Sequence, residues 1–140
     1  MAQFGRTTRR GIILLVEDRD DVRLGLAQLL ALHGYLVADA PNGEQAWDQL
    51  ASDPGSFALI VLDLLLPGEI SGPDLRQRQL ADADLRPIPT IVITATEPQP
   101  EERQPLHPDA WLDKPFRFEA LLGLIQQYVV PEGPSIAAAG

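Results

Sequence analysis

Three short runs are apolar at every position and rich in β-branched side chains: Ile12-Ile13-Leu14-Leu15-Val16, Phe57-Ala58-Leu59-Ile60-Val61-Leu62 and Ile91-Val92-Ile93. A strand with one wet face alternates apolar and polar residues, so continuous apolarity calls for cover on both faces, as in a parallel sheet. Two weaker strands are expected at Tyr35 to Ala38 and Ala110 to Leu112. The segments between them carry helical spacing. Val22, Leu26, Leu29, Leu30 and His33 share one face ahead of Gly34, a stop signal. Ala46, Trp47, Leu50 and Ala51 do the same after Asn42, which stands three residues before Gln45 as in a capping box. A third helix is expected from Pro73 with Ser71 or Gly72 as cap, although its apolar face is thin, because Gln77, Arg78 and Gln79 separate Leu75 from Leu80. Phe118, Leu121, Leu122, Ile125, Tyr128 and Val129 mark a last helix that Pro131 ends. Alternating strands and helices of this size predict an α/β fold, a doubly wound, open parallel sheet with helices on both sides.

A chain of 140 residues suits one domain with a single core. The expected organisation is a mobile N-terminus over 1–10, a folded domain over 11–130 and a flexible C-terminal tail over 131–140. No period of 20 to 50 residues repeats, which excludes a solenoid. The balance of 20 acidic against 11 basic side chains gives a formal charge of -9, unfavourable for nucleic acid and anionic lipid alike. With no cysteine, disulfide frameworks, thiolate metal sites and cysteine nucleophiles are excluded. The apolar runs fall far short of the ~18 residues that span a bilayer. The arginines at 6, 9 and 10 precede a run too short for a signal peptide, so the expected location is the cytoplasm.

In open parallel sheets ligands bind beyond the carboxyl ends of the strands. The residues there are Glu17 and Asp18, Asp63, Thr94 and Lys114, the only lysine in the chain. Singly, each has a plain structural role available: the acidic pair can cap the helix starting near Asp20, Thr94 can close a strand, and Lys114 can be a surface charge. Asp63 differs, because an idle carboxylate inside Leu62-Asp63-Leu64-Leu65-Leu66 would be costly to bury. Convergence of three carboxylates, a hydroxyl and the lone ammonium on one rim points to a site. No phosphate loop of the form GxxxxGK[ST], no GxGxxG and no GxSxG elbow is present. His33 and His107 lack a partner at metal-ligand spacing.

Val16-Glu17-Asp18, Asp63-Leu64-Leu65-Leu66-Pro67-Gly68, Thr94-Ala95 and Lys114-Pro115-Phe116 together resemble a response-regulator receiver domain, chemotaxis-regulator-like, of two-component signalling, from about Gly11 to Val130. The resemblance implies a flavodoxin-like sheet of five strands in the order 2-1-3-4-5. It makes Asp63 the phosphoacceptor, Thr94 the switch hydroxyl and Lys114 the phosphate contact. Glu17, Asp18, Asp63 and the backbone carbonyl of Leu65 become ligands of Mg²⁺ or Mn²⁺, and Trp111 takes the place of the switch aromatic. It also implies a cis Lys114-Pro115 bond, a sensor histidine kinase or phosphotransfer protein as donor, a downstream protein partner, and an optional homodimer. Elementary electrostatics supports the cation: two like charges ~4 Å apart repel by roughly 4 kcal/mol at an effective dielectric of ~20, so three carboxylates need a counter-charge before a dianionic group can join them. An all-oxygen ligand set selects a hard ion.

Departures from the family pattern are informative. The loop after Asp63 is one residue longer than usual up to Gly72, and the positions two after Asp63 and two after Thr94 hold Leu65 and Thr96, where polar groups often govern water attack. Of 13 prolines, seven lie between Pro87 and Pro115; Pro98, Pro100, Pro105 and Pro108 break the segment that would carry the fourth helix, which is expected to be short or irregular because an interior proline costs ~3 kcal/mol. The ten residues after Val130 are too few for a DNA-binding module, so a stand-alone receiver, or one acting beside or cut from a larger regulator, is expected. Apart from transfer to and from its own aspartate, no enzymatic activity is expected. Two rivals stand beside this reading: a receiver-fold interaction module that works without phosphorylation, and a phosphatase of outside substrates. The second lacks the extra Asp that haloacid-dehalogenase-type enzymes carry two residues after the nucleophile, where Leu65 stands.

Overall fold

The computed structural model describes residues 8–95 and 106–135. The elements are β1 (Ile12–Val16), α1 (Asp20–Leu32), β2 (Leu36–Ala40), α2 (Gly43–Ser52), a 3-10 turn (Pro54–Ser56), β3 (Phe57–Asp63), α3 (Gly72–Ala81), β4 (Thr90–Thr94), β5 (Ala110–Asp113) and α4 (Phe118–Gln126). All strand pairs are parallel, as the apolar runs predict, and the order is β2-β1-β3-β4-β5, as the resemblance implies. The expected fourth helix between the last two strands lies, for residues 97 to 105, outside the described residues.

The continuous apolar runs have a direct explanation. Ile13 and Leu15 of β1, with Leu59 and Val61 of β3, pack on one face against Leu30 of α1 and Leu121 and Ile125 of α4. Their alternates Leu14, Val16, Ile60 and Leu62 pack on the other against Ala46 and Leu50 of α2 and Leu75 of α3. Successive strand side chains point to opposite faces, so two covered faces require apolar residues at every position. Every residue of the central β3 is buried, Asp63 included.

Local signals act as expected at the helix starts. Asn42 Oδ1 accepts the Gln45 amide at 2.8 Å, and Ser71 and Asp74 form a reciprocal capping box with Pro73 in the first turn. The last helix departs from its periodicity: it ends at Gln126 although the apolar spacing runs on to Val129. Arg9 donates its amide to the Tyr128 carbonyl and accepts from Val130, both at 2.8 Å, drawing this stretch into a parallel bridge. Beyond it the Glu132 and Gly133 amides donate to the Gly34 carbonyl at 2.9 and 3.1 Å. Gly34 has φ +91, and a Cβ there would lie 2.2 Å from the Gly133 oxygen. Backbone pairing thus crosses both expected domain boundaries, at 10/11 and at 130/131.

Candidate functional site

The parallel register brings every sequence-predicted site residue except Trp111 to one edge of the sheet. Glu17 and Asp18 follow β1, Asp63 ends β3, Thr94 ends β4, and Lys114 follows β5. Carboxylate oxygens of Glu17, Asp18 and Asp63 lie within 4.8 Å of one another, with Glu17 and Asp63 buried and Asp18 exposed. Lys114 Nζ donates to Asp63 Oδ2 at 2.5 Å and to Glu17 Oε1 at 3.2 Å. Burial works against the Lys114 charge, but the hydrogen bond and attraction to Asp63, then those to Glu17, outweigh it and raise the ammonium above its ordinary pKa. Three carboxylates against one ammonium still leave two formal negative charges in the cluster. The donors are all hard oxygens, closely spaced and electron-rich, a set that fits Mg²⁺ or Mn²⁺.

Backbone contacts hold these side chains in place. The Leu65 amide donates to Asp63 Oδ1 at 2.9 Å, so both acceptor oxygens are oriented. The Leu65 side chain itself stands 67% exposed beside Asp63. The Lys114 amide donates to the Thr94 carbonyl at 2.8 Å, and the Lys114-Pro115 bond is cis. Thr94 is buried at the rim, whereas half-buried Trp111 pairs with Val92 within the sheet. Gly72 is required by close approach: a Cβ there would lie 2.6 Å from the Leu64 carbonyl oxygen and 2.7 Å from that of Asp63.

Some supporting residues escaped sequence reasoning. Arg23 on α1 bonds Asp39 at 2.7 Å, Asp20 at 2.8 Å and the Glu17 carbonyl at 3.0 Å, bracing the acidic turn from behind. Its place one helical turn after Asp20 was the available signal. Burial opposes the Arg23 charge, and Asp20 and Asp39 more than offset it, raising its pKa. Glu44, at the start of α2, reaches the loop after Asp63 and accepts the Glu69 amide at 2.8 Å. No short-range pattern links residues 25 positions apart. An open groove of about 650 Å³ next to Lys114 is lined by Arg19, Val22 and Leu26 on the α1 side and by Pro115 and Phe116 after β5. Among the described residues no helix is long and apolar enough to cross a membrane.

Residues 13–126 match the family model for the response regulator receiver domain. The chain is 33% identical over 117 residues to response regulator RppA of Synechocystis, covering 81% of this chain and 48% of that protein. It is 31% identical over 119 residues to response regulator receiver protein CpdR of Brucella abortus, covering 84% of this chain and 96% of CpdR. Among solved structures it is similar to chemotaxis protein CheY4 of Vibrio cholerae, with a TM-score of 0.74 and 25% identity over 85% of this chain and 98% of that one. It also resembles the signal receiver domain of an HD-domain protein from Pseudomonas fluorescens, with a TM-score of 0.73 and 27% identity over 85% and 94% of the two chains. The chain thus spans about half the length of RppA and nearly all of CpdR.

Proposed function

The chain belongs to the response regulator receiver domain family, and from that premise we propose that Asp63 accepts a phosphoryl group from a phosphohistidine and that the modified domain changes its affinity for a partner. Receiver domains of response regulators serve two-component signalling, interact with histidine kinases or phosphotransfer proteins, and are generally not classical enzymes. The observation that carries the finer reading is the Asp63 carboxylate, buried at a strand end, held by the Leu65 amide and facing the lone lysine at 2.5 Å.

In the proposed transfer an Asp63 oxygen forms the new P–O bond as the P–N bond to the donor imidazole breaks, and the ring leaves as neutral imidazole, keeping the electron pair of that bond and the proton already on its other nitrogen. Catalysis of such a step is mostly positioning and charge stabilisation. Lys114 supplies a compact ammonium to the phosphoryl oxygens. Glu17, Asp18, Asp63 and the Leu65 carbonyl would hold Mg²⁺ or Mn²⁺, which when bound supplies positive charge to the phosphoryl oxygens. The groove between α1 and the loop after β5 offers the donor protein a largely apolar approach to the acceptor. With the phosphoryl group in place, the Thr94 hydroxyl hydrogen-bonds it and leaves room for Trp111 to turn inward, which couples the site to the surface near β5. A cytoplasmic location and an unnamed downstream protein complete this reading, with homodimerisation as one form the partner takes.

Incubation with Mg²⁺ and a small phosphodonor, followed by intact-mass measurement, tests it. One phosphoryl adduct is expected, absent without divalent cation and absent in Asp63→Asn. Failure to form an adduct with any donor or cation would favour an interaction module that works without phosphorylation.

The exposed Leu65 makes a second expectation. With an apolar side chain two residues after the acceptor, no polar group from this position aligns a water against the acyl phosphate. Leu65→Asn is expected to hasten loss of the phosphoryl group about tenfold, less than a full general base contributes. Decay in the unaltered protein faster than in the variant would reject this explanation. Thr96, the other position implicated, lies outside the described residues.

A further inference from the structure

The loop from Asp63 to Gly72 carries one residue more than the family pattern, and the structure shows what holds it. Gly68 has φ +94, a conformation that glycine adopts without strain. A Cβ on Gly68 would meet the Glu44 carboxylate oxygens at 2.7 and 2.9 Å, so this side chain and the loop backbone are in close contact. Glu44 Oε2 accepts the Glu69 amide at 2.8 Å. Next to it, Gly43 leaves no space for a side chain, since a Cβ would lie 2.3 Å from the Ile70 oxygen. Glu44 Oε1 is buried and makes no hydrogen bond of its own among the described residues. The Glu69 amide, then the amides of Glu44 itself and Ile70, outweigh burial and hold the Glu44 carboxyl below its ordinary pKa, with Arg78 adding a smaller attraction.

We propose that Glu44 is a positioning residue for the acceptor loop: by gripping the Glu69 amide it fixes the stretch that carries the Leu65 carbonyl, and so sets the affinity of the site for its divalent cation. The inference rests on the reading of Glu17, Asp18, Asp63 and Leu65 as the cation site. Glu44 does not touch that cluster in any contact the structure shows, and it acts through the loop backbone. Partners that orient a metal's ligands typically contribute 10- to 100-fold to affinity, and a loop amide should sit near the lower figure.

The test is calorimetric titration of Mg²⁺ into the unphosphorylated full chain, paired with amide exchange at Glu69. Glu44→Ala is expected to weaken Mg²⁺ binding about tenfold and to speed Glu69 exchange. Gly68→Ala changes no charge but drives a methyl group into the carboxylate and strains a backbone held at φ +94, and should weaken Mg²⁺ binding at least as much. A purely long-range charge effect would leave Gly68→Ala unchanged and overturn the proposal, as would unaltered Mg²⁺ affinity and Glu69 exchange in Glu44→Ala. If the unaltered protein takes up no Mg²⁺, the reading of the cation site itself fails and the inference with it; normal uptake in both proteins overturns the inference alone.

Discussion

Replacing Lys114 with methionine is expected to slow phosphoryl transfer to Asp63 by two to three orders of magnitude, the loss typical when one preorganised charge is removed from a site where charge develops (~10²–10³-fold). The same change is expected to destabilise the metal-free protein by about 3 kcal/mol, because removing one partner of a buried ion pair leaves the other uncompensated. Lys114 is three-quarters buried and is the cation that reaches both Asp63 and Glu17, whose side chains are 5% and 4% exposed. Methionine keeps much of the apolar stem and removes the ammonium, so the effect reads on charge rather than volume. The pH dependence has a definite sign. The folded pKa of Lys114 lies above that of an unfolded lysine, since attraction to Asp63 and then Glu17 overcomes the desolvation that alone would lower it. The stabilisation is therefore complete below about pH 10.4, the unfolded value, and is lost as the pH rises through the higher folded value. Urea unfolding in chelator should show a constant deficit for the variant across neutral pH and a shrinking one above that range. Added Mg²⁺ should narrow the deficit at neutral pH by supplying charge to the same carboxylates. A variant as stable as the unaltered protein in chelator at pH 7 would contradict this description of the site.

The other large effect is expected far from the chemistry. Arg76→Met should cost roughly 3 to 5 kcal/mol in urea unfolding, a magnitude reserved for broken buried networks. Arg76 on α3 is 3% exposed and donates to the Leu106 carbonyl at 2.7 Å, Gln79 Oε1 at 2.7 Å, Thr90 Oγ1 at 2.9 Å and the His107 carbonyl at 2.7 Å. Gln79, also buried, donates to the Leu85 and Ile88 carbonyls at 3.1 and 2.8 Å. Burial lowers the Arg76 pKa, with partial compensation from Asp109. Methionine would leave four acceptors without this donor, and those at 106 and 107 lie where the chain turns toward β5. The variant should therefore also show faster amide exchange around residues 107 to 110 than elsewhere in the sheet. Loss of less than about 1 kcal/mol, the scale of an ordinary surface substitution, would mean that the network contributes little.

That network shows where the sequence was hard to read. The thin apolar face of α3 was visible, yet polarity at Arg76 and Gln79 reads as solvent exposure until the strand and loop carbonyls around them are in place. Long-range pairings of this kind, like Glu44 with Glu69 or Arg23 with Asp39, leave no periodic trace. The strands were legible for the opposite reason: a buried parallel strand must be apolar at each position, and that rule acts locally. The end of α4 fell between these cases, because its apolar spacing continues through residues whose backbone is claimed by Arg9. The convergence of the candidate residues was legible because parallel topology turns strand ends, which sequence locates well, into neighbours in space. Thus Glu17, Asp18 and Asp63 could be grouped from sequence alone, and they lie within 4.8 Å. What sequence could not supply was the support beneath them, the Gly72 approach to the Asp63 and Leu64 backbone and the Glu44 grip on the loop.

In the proposed reaction Asp63, and no other carboxylate of the cluster, becomes the acyl phosphate. Borohydride reduces an aspartyl phosphate to homoserine while leaving free carboxylates and phosphate esters intact, so reduction of the phosphorylated protein followed by peptide mass mapping reads the acceptor directly. The expected result is homoserine at position 63 alone, in an amount that matches the adduct seen before reduction. Homoserine at position 18 or 5-hydroxynorvaline at position 17 instead, or a phosphoryl group that survives reduction on Thr94, would contradict it.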